Sequence, residues 1–95
     1  MGLREKRLEF FLNEVAPIIK GGQDIRCPNG HEQFIFDTRK EYFGTINFYP
    51  KANVFHSFKR NEWYRGDAML YIINNCVDNK KYVLNKYKLE LTWKK

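Results

Sequence analysis

The stretch Phe43 to Phe58, FGTINFYPKANVFHSF, constrains the fold of this chain more than any other because it joins clear turn chemistry to alternating apolar residues. Pro50 has φ fixed near the value required at the second position of a type I turn, and Asn53 tolerates the left-handed conformation that closes a four-residue loop. A loop of Pro50 to Asn53 sets Tyr49 opposite Val54, Phe48 opposite Phe55, Asn47 opposite His56 and Ile46 opposite Ser57. Side chains alternate along a strand, so Ile46, Phe48 and Phe55 share a core face, while Asn47, Tyr49, Val54, His56 and Phe58 share a mixed face. The functional question is what touches that mixed face.

The flanking segments supply the other elements. Leu8, Phe11, Leu12 and Val15 recur at i, i+3, i+4 and i+7, which predicts an amphipathic helix over Leu3 to Ala16, ended by Pro17 and left through Gly21-Gly22. Cys27-Pro28-Asn29-Gly30-His31 reads as a three-residue hairpin loop with Cys27 facing His31. Gln33 to Thr38 follows as a strand with Phe34 and Phe36 on one side, and Val54 to Lys59 as the fourth strand of an antiparallel meander. Arg60 to Gly66 reads as a loop. Asp67 suits the cap of a helix over Ala68 to Val77, in which Met69, Ile72, Ile73 and Cys76 keep helical spacing. After a break at Asp78 to Lys81, Tyr87, Leu89, Leu91 and Trp93 alternate with Lys86, Lys88, Glu90, Thr92 and Lys94, which predicts a carboxy-terminal strand completing the sheet. The expectation is one α+β domain spanning residues 1–95, since 95 residues leave no room for a second core.

Composition narrows the class of partner. A hydrophobic fraction of 43% with 17% aromatic residues excludes a disordered tail, and 17 Lys and Arg against 11 Asp and Glu give a net charge of +6. That charge favours polyanionic partners: nucleic acid, an acidic protein surface or anionic lipid. The amino terminus has no uninterrupted apolar run, so no signal peptide or membrane span is expected, and Lys6 stands where a myristoylation motif requires Ser or Thr. Two cysteines are too few for a secreted disulfide framework. A cytoplasmic setting with reduced thiols is the expectation.

Three kinds of chemistry fit the residues present. Cys27, His31, His56 and Cys76 together make a two-cysteine, two-histidine set of the kind zinc accepts, but their spacing lacks two close pairs, so no metal or other cofactor is expected. His56 is a candidate general base for a small ribonuclease-like enzyme, with Asn47 and Tyr49 to orient it and Lys59, Arg60 or Arg65 to stabilise phosphorane charge. No carboxylate pair or Ser-His-Asp arrangement accompanies it, so catalytic residues are not assigned. The better-supported expectation is nucleic-acid binding by a sheet face and its neighbouring loop, with Tyr49, His56, Phe58, Trp63 and Tyr64 as stacking residues and Lys51, Lys59, Arg60, Arg65 and Lys88 as phosphate contacts. Against it stands ordinary packing: a helix over the mixed face would remove the platform.

The pattern Gly44-x-Ile46-x-Phe48-Tyr49-Pro50-Lys51-Ala52-Asn53, followed by Trp63 and a short amphipathic segment, resembles small uncharacterised proteins encoded by phages and related mobile elements. The resemblance covers about half the chain. It implies a setting in the host cytoplasm and an accessory role through binding of a host protein or its nucleic-acid complex, and it carries over no functional residue. Independently of the resemblance, Trp63 and Tyr64 are candidate anchors of a protein-interaction or inhibitor module against an acidic host surface.

Overall fold

The computed structural model describes residues 2–19, 25–28, 30 and 32–92. The amino-terminal helix forms as α1 (Leu3–Phe10), widens into a π-helical turn at Phe11–Val15 and ends in a 3-10 turn at Ala16–Ile18 that contains Pro17. Phe11 and Val15 are fully buried, with Leu8 and Leu12 packed against the same core. Successive helical residues diverge by roughly 100°, and the two adjacent phenylalanines accordingly face different partners. Phe11 meets Phe34, Phe48 and Phe36 of the sheet at 4.8, 5.1 and 6.1 Å, whereas Phe10 meets Tyr87 at 5.5 Å.

The sheet is a four-stranded antiparallel meander in the order β1 (Phe34–Asp37), β2 (Thr45–Tyr49), β3 (Val54–Ser57), β4 (Glu62–Tyr64). The β2–β3 register is the expected one: Ile46, Asn47, Phe48 and Tyr49 lie opposite Ser57, His56, Phe55 and Val54. Ile46, Phe48 and Phe55 are fully buried against the helices. Each of the three connections closes on a left-handed residue whose N–H reaches the carbonyl four residues back. Gly44 donates to Lys40 at 2.9 Å, Asn53 to Tyr49 at 2.8 Å and Asn61 to Ser57 at 2.7 Å, with φ of 62°, 60° and 53°. Glycine carries no penalty there and asparagine little.

The meander is displaced along the chain relative to the sequence expectation. Before β1, Arg26 pairs with Ile35 as an isolated antiparallel bridge with hydrogen bonds of 3.0 and 2.8 Å, where the expected three-residue loop would have set Arg26 opposite Glu32. His31, and with it the expected Cys27 to His31 contact, lies outside the described residues. The fourth strand is Glu62–Tyr64, inside the segment expected to be a loop, because the turn Phe58–Asn61 reverses the chain immediately after β3.

After β4, Asp67 caps α2 (Ala68–Cys76) through a 3.1 Å bond from the Leu70 N–H, and Ala68, Met69, Ile72, Ile73 and Cys76 face the core as the spacing predicts. The carboxy-terminal strand does not form over the described residues. Lys80–Tyr87 is a helix, α3, continued by a π-helical turn at Lys88–Thr92. Val83, Tyr87 and Leu91 are buried at i, i+4 and i+8, while Leu89, which alternation would bury, is 74% exposed. Trp93 and Lys94 lie outside the described residues.

Hydrogen bonds centred on Asn53 and on Arg7 fix the helices to the sheet. Asn53 in the β2–β3 turn donates from Nδ2 to Asp67 Oδ1 at 2.9 Å and accepts from the Met69 N–H at 2.8 Å, and the Tyr87 hydroxyl donates to the same Asp67 oxygen at 2.8 Å. Arg7 of α1 donates to the carbonyls of Pro50 and Lys51 in that turn.

Candidate functional site

Strand alternation and the observed register lay out the sheet face turned away from the helices. Its central row runs Arg26, Ile35, Asn47, His56, Trp63 across four strands and the flanking bridge. Tyr49 lies opposite Val54 in the next row, where Arg65 continues β4 beyond Trp63. On the other side Thr45 pairs with Asp37, and its carbonyl accepts from Phe58 N–H at 3.3 Å. None of these residues is buried, so among the described residues no element covers this face.

Aromatic side chains meet there in a continuous run. Tyr49 and Trp63 have ring centroids 5.7 Å apart, Trp63 and His56 5.0 Å, and His56 and Phe58 5.8 Å with planes at 89°. Trp63 remains 47% exposed and Phe58 51%, so the two rings that flank His56 keep free surface. Arg65 reaches back over Trp63 at 5.2 Å from the ring centre. Lys59 and Arg60 occupy the turn directly after Phe58; Lys59 Nζ donates to the Glu41 carbonyl at 2.6 Å, and Arg60 lies 3.8 Å over Tyr42 while contacting Glu62 at 3.4 Å.

The other residues expected at the site go elsewhere. Tyr64 alternates to the core side, stacked on Phe55 at 4.9 Å and touching Tyr71 at 5.3 Å, which removes it as a base platform and as a partner anchor. Lys51, in the β2–β3 turn, is directed to Glu5 of α1 at 3.3 Å and to Glu32 at 3.9 Å, not to the ring run. Lys88 belongs to the helical layer with the π-helical turn.

Hydrogen bonding on the face also differs from the expected catalytic arrangement. His56 Nε2 pairs with Asn61 Oδ1 at 3.0 Å, not with Asn47 or Tyr49. Asn47 Nδ2 instead donates to Gln33 Oε1 and to the Tyr49 hydroxyl, both at 3.0 Å, and its own Oδ1 is buried without a partner among the described residues. The zinc-like set does not converge either: Cys76 is fully buried in α2 on the core side of the sheet and His56 stands on the opposite side. Among the described residues, no group of three or more His, Cys, Asp or Glu is placed to hold a metal.

A separate groove of about 490 Å³ lies between α1 and the carboxy-terminal helix, lined by Lys6, Phe10, Asn13 and three carboxylates, Glu9, Glu14 and Glu90. That excess of acid disfavours an anionic ligand in this groove. Among the described residues no helix is long and apolar enough to cross a membrane.

Asn61 and the row it completes were not singled out in the sequence. The signal was present: Phe58-Lys59-Arg60-Asn61 ends in asparagine at the same loop position as Pro50-Lys51-Ala52-Asn53, and a hairpin there brings Trp63 beside His56. The molecule is thus an α+β meander with helices on one face and an open aromatic face on the other. A scan against protein-family models, a search of curated proteins and a search of solved structures each found no match.

Proposed function

We propose that the protein is a small non-catalytic module that binds nucleic acid on the open face of its sheet. The observation that carries this reading is the run Tyr49, Trp63, His56 and Phe58 on an uncovered face, bordered by Arg65 at one end and by Lys59 and Arg60 at the other. Base stacking on aromatic rings contributes about 1–3 kcal/mol per base, and cations beside the rings track phosphates. A net charge of +6 adds attraction at long range. The test is anisotropy titration of labelled single- and double-stranded oligonucleotides at low salt. Binding that persists in part as salt rises and is removed by Tyr49→Ala with Trp63→Ala supports the reading; no binding to any oligonucleotide overturns it.

A second reading rests on Trp63, 47% exposed with Arg65 against its ring: a Trp-Arg pair of this kind anchors protein interfaces. In that case the partner is an acidic protein surface, and an accessory protein of a phage or mobile element acting in the host cytoplasm fits it. A pull-down with wild-type protein and Trp63→Ala separates this from nucleic acid: a partner that survives nuclease treatment and depends on Trp63 favours it.

A further inference from the structure

We infer that the open face takes unpaired rather than duplex nucleic acid, with one base on Trp63, the next on Phe58 across His56, and the flanking phosphates at Arg65 and at Lys59 and Arg60. This rests on the nucleic-acid reading and narrows it. Three observations carry the narrowing, the first of which is ring spacing. His56 lies 5.0 Å from Trp63 and 5.8 Å from Phe58, with the Phe58 plane turned 89° to it. Bases of a duplex are held about 3.4 Å apart along each strand with their faces covered by neighbours, so they have no free face to lay on rings so placed. Only a strand whose bases have parted offers one.

Breadth is the second. Four strands spaced about 4.8 Å apart make a face roughly 14 Å across before side chains are counted, wider than the roughly 12 Å major groove that admits a helix or a two-stranded ribbon. The flat face cannot enter the groove where base edges of a duplex are read.

The third is the placement of charge. His56 stands between the rings and Asn47 and Ile35 follow it along the central row, while the arginine and lysine residues stand at the borders: Arg26 at the end of the row, Arg65 over Trp63, and Lys59 and Arg60 in the turn that follows Phe58. Bases in the middle with phosphates at the margins match an opened single strand. A duplex presents phosphates first and rewards cations across the whole surface.

The test compares a fluorescein-labelled single-stranded DNA octamer of mixed sequence with the same octamer in a hairpin duplex, by anisotropy at low salt. The expected result is at least about tenfold tighter binding of the single strand, and a loss of roughly five- to hundredfold for Trp63→Ala and for Phe58→Ala separately. Both side chains are about half exposed, so their removal leaves the core intact; Tyr82→Ala, at a 59% exposed position on α3, serves as the control and leaves affinity unchanged. Equal or tighter binding of the duplex overturns this inference and leaves the nucleic-acid reading standing. Equal losses for Tyr82→Ala and Trp63→Ala overturn it as well, because the rings then act only as general surface. Absence of binding to either octamer overturns both readings.

Discussion

Asn47 shows most sharply how one residue can be set by something other than stability. It lies in the centre of the open face with Nδ2 bonded to Gln33 and Tyr49, yet its Oδ1 is buried with no partner among the described residues. A buried unpaired acceptor costs about 1–3 kcal/mol, comparable with what the two bonds return. Asn47→Val, which suits a half-buried strand position, is therefore expected to keep stability within about 1 kcal/mol of wild type or to raise it; a urea titration showing a loss above about 2 kcal/mol contradicts this. If the same variant loses oligonucleotide affinity, the amide is held for a ligand. Tyr87 makes the opposite case. Burial, and then its bond to the Asp67 carboxylate, raise its pKa, and burial raises that of Tyr71 as well. A folded-state pKa above the unfolded value of about 10 means that the unfolded chain loses its proton first as pH rises. Stability is thus full below about pH 10 and falls above it. Tyr87→Phe is expected to lower stability near neutrality, through the lost hydroxyl bond, and to flatten the decline between about pH 9 and 11. An unchanged decline in urea midpoints over that range contradicts the assignment.

At the scale of elements, the central hairpin was legible because its evidence is local: Pro50 and Asn53 define the loop, the loop defines the register, and the register defines the faces. Helix α2 was legible for the same reason, with Asp67 at the cap and Met69, Ile72, Ile73 and Cys76 in helical phase. The carboxy-terminal segment misled because Tyr87 and Leu91 are four apart, a spacing shared by the strand period of two and the helical period of 3.6. Leu89 alone separates them, and it is exposed. Strand β4 was hidden by its three residues, too short for alternation to register, so the site lost the strand that carries Trp63 until the turn at Asn61 was seen. That turn and the one at Asn53 share a backbone geometry but not a role. Asn61→Gly keeps the left-handed residue and removes one exposed contact to His56, so a change of less than about 0.5 kcal/mol is expected. Asn53→Gly removes the bonds to Asp67 and to the Met69 N–H, and a loss of about 1–3 kcal/mol is expected. Equal effects in thermal melts of the two variants contradict the separate role given to the Asn53 amide.

For the whole molecule, the division of labour follows from where the helices lie. All three pack on the Phe34, Phe36, Ile46, Phe48 and Phe55 side, so one face of the sheet is committed to the core and, among the described residues, the other stays uncovered. The mixed face named in the sequence is the open one and keeps Asn47, Tyr49, Val54 and His56; of the residues expected at the site, Tyr64 turns inward and Lys51 and Lys88 fall outside, while Arg26 and Ile35 join the central row. Charge acts on the same scale. If Lys59 and Arg60 meet phosphates, Lys59→Ala with Arg60→Ala is expected to reduce the slope of log K against log salt by about 1.4 for a single strand, at roughly 0.7 per phosphate contact; an unchanged slope removes them from the interface. The most direct measurement is amide and side-chain chemical-shift mapping of the intact protein titrated with a single-stranded DNA octamer. The expected result is a set of shifts concentrated on Ile35, Asn47, Tyr49, His56, Phe58, the Trp63 indole and Arg65, with α2 and α3 unmoved. Shifts confined to the helical face, or none at saturating oligonucleotide, contradict the assignment of the open sheet face as the binding surface.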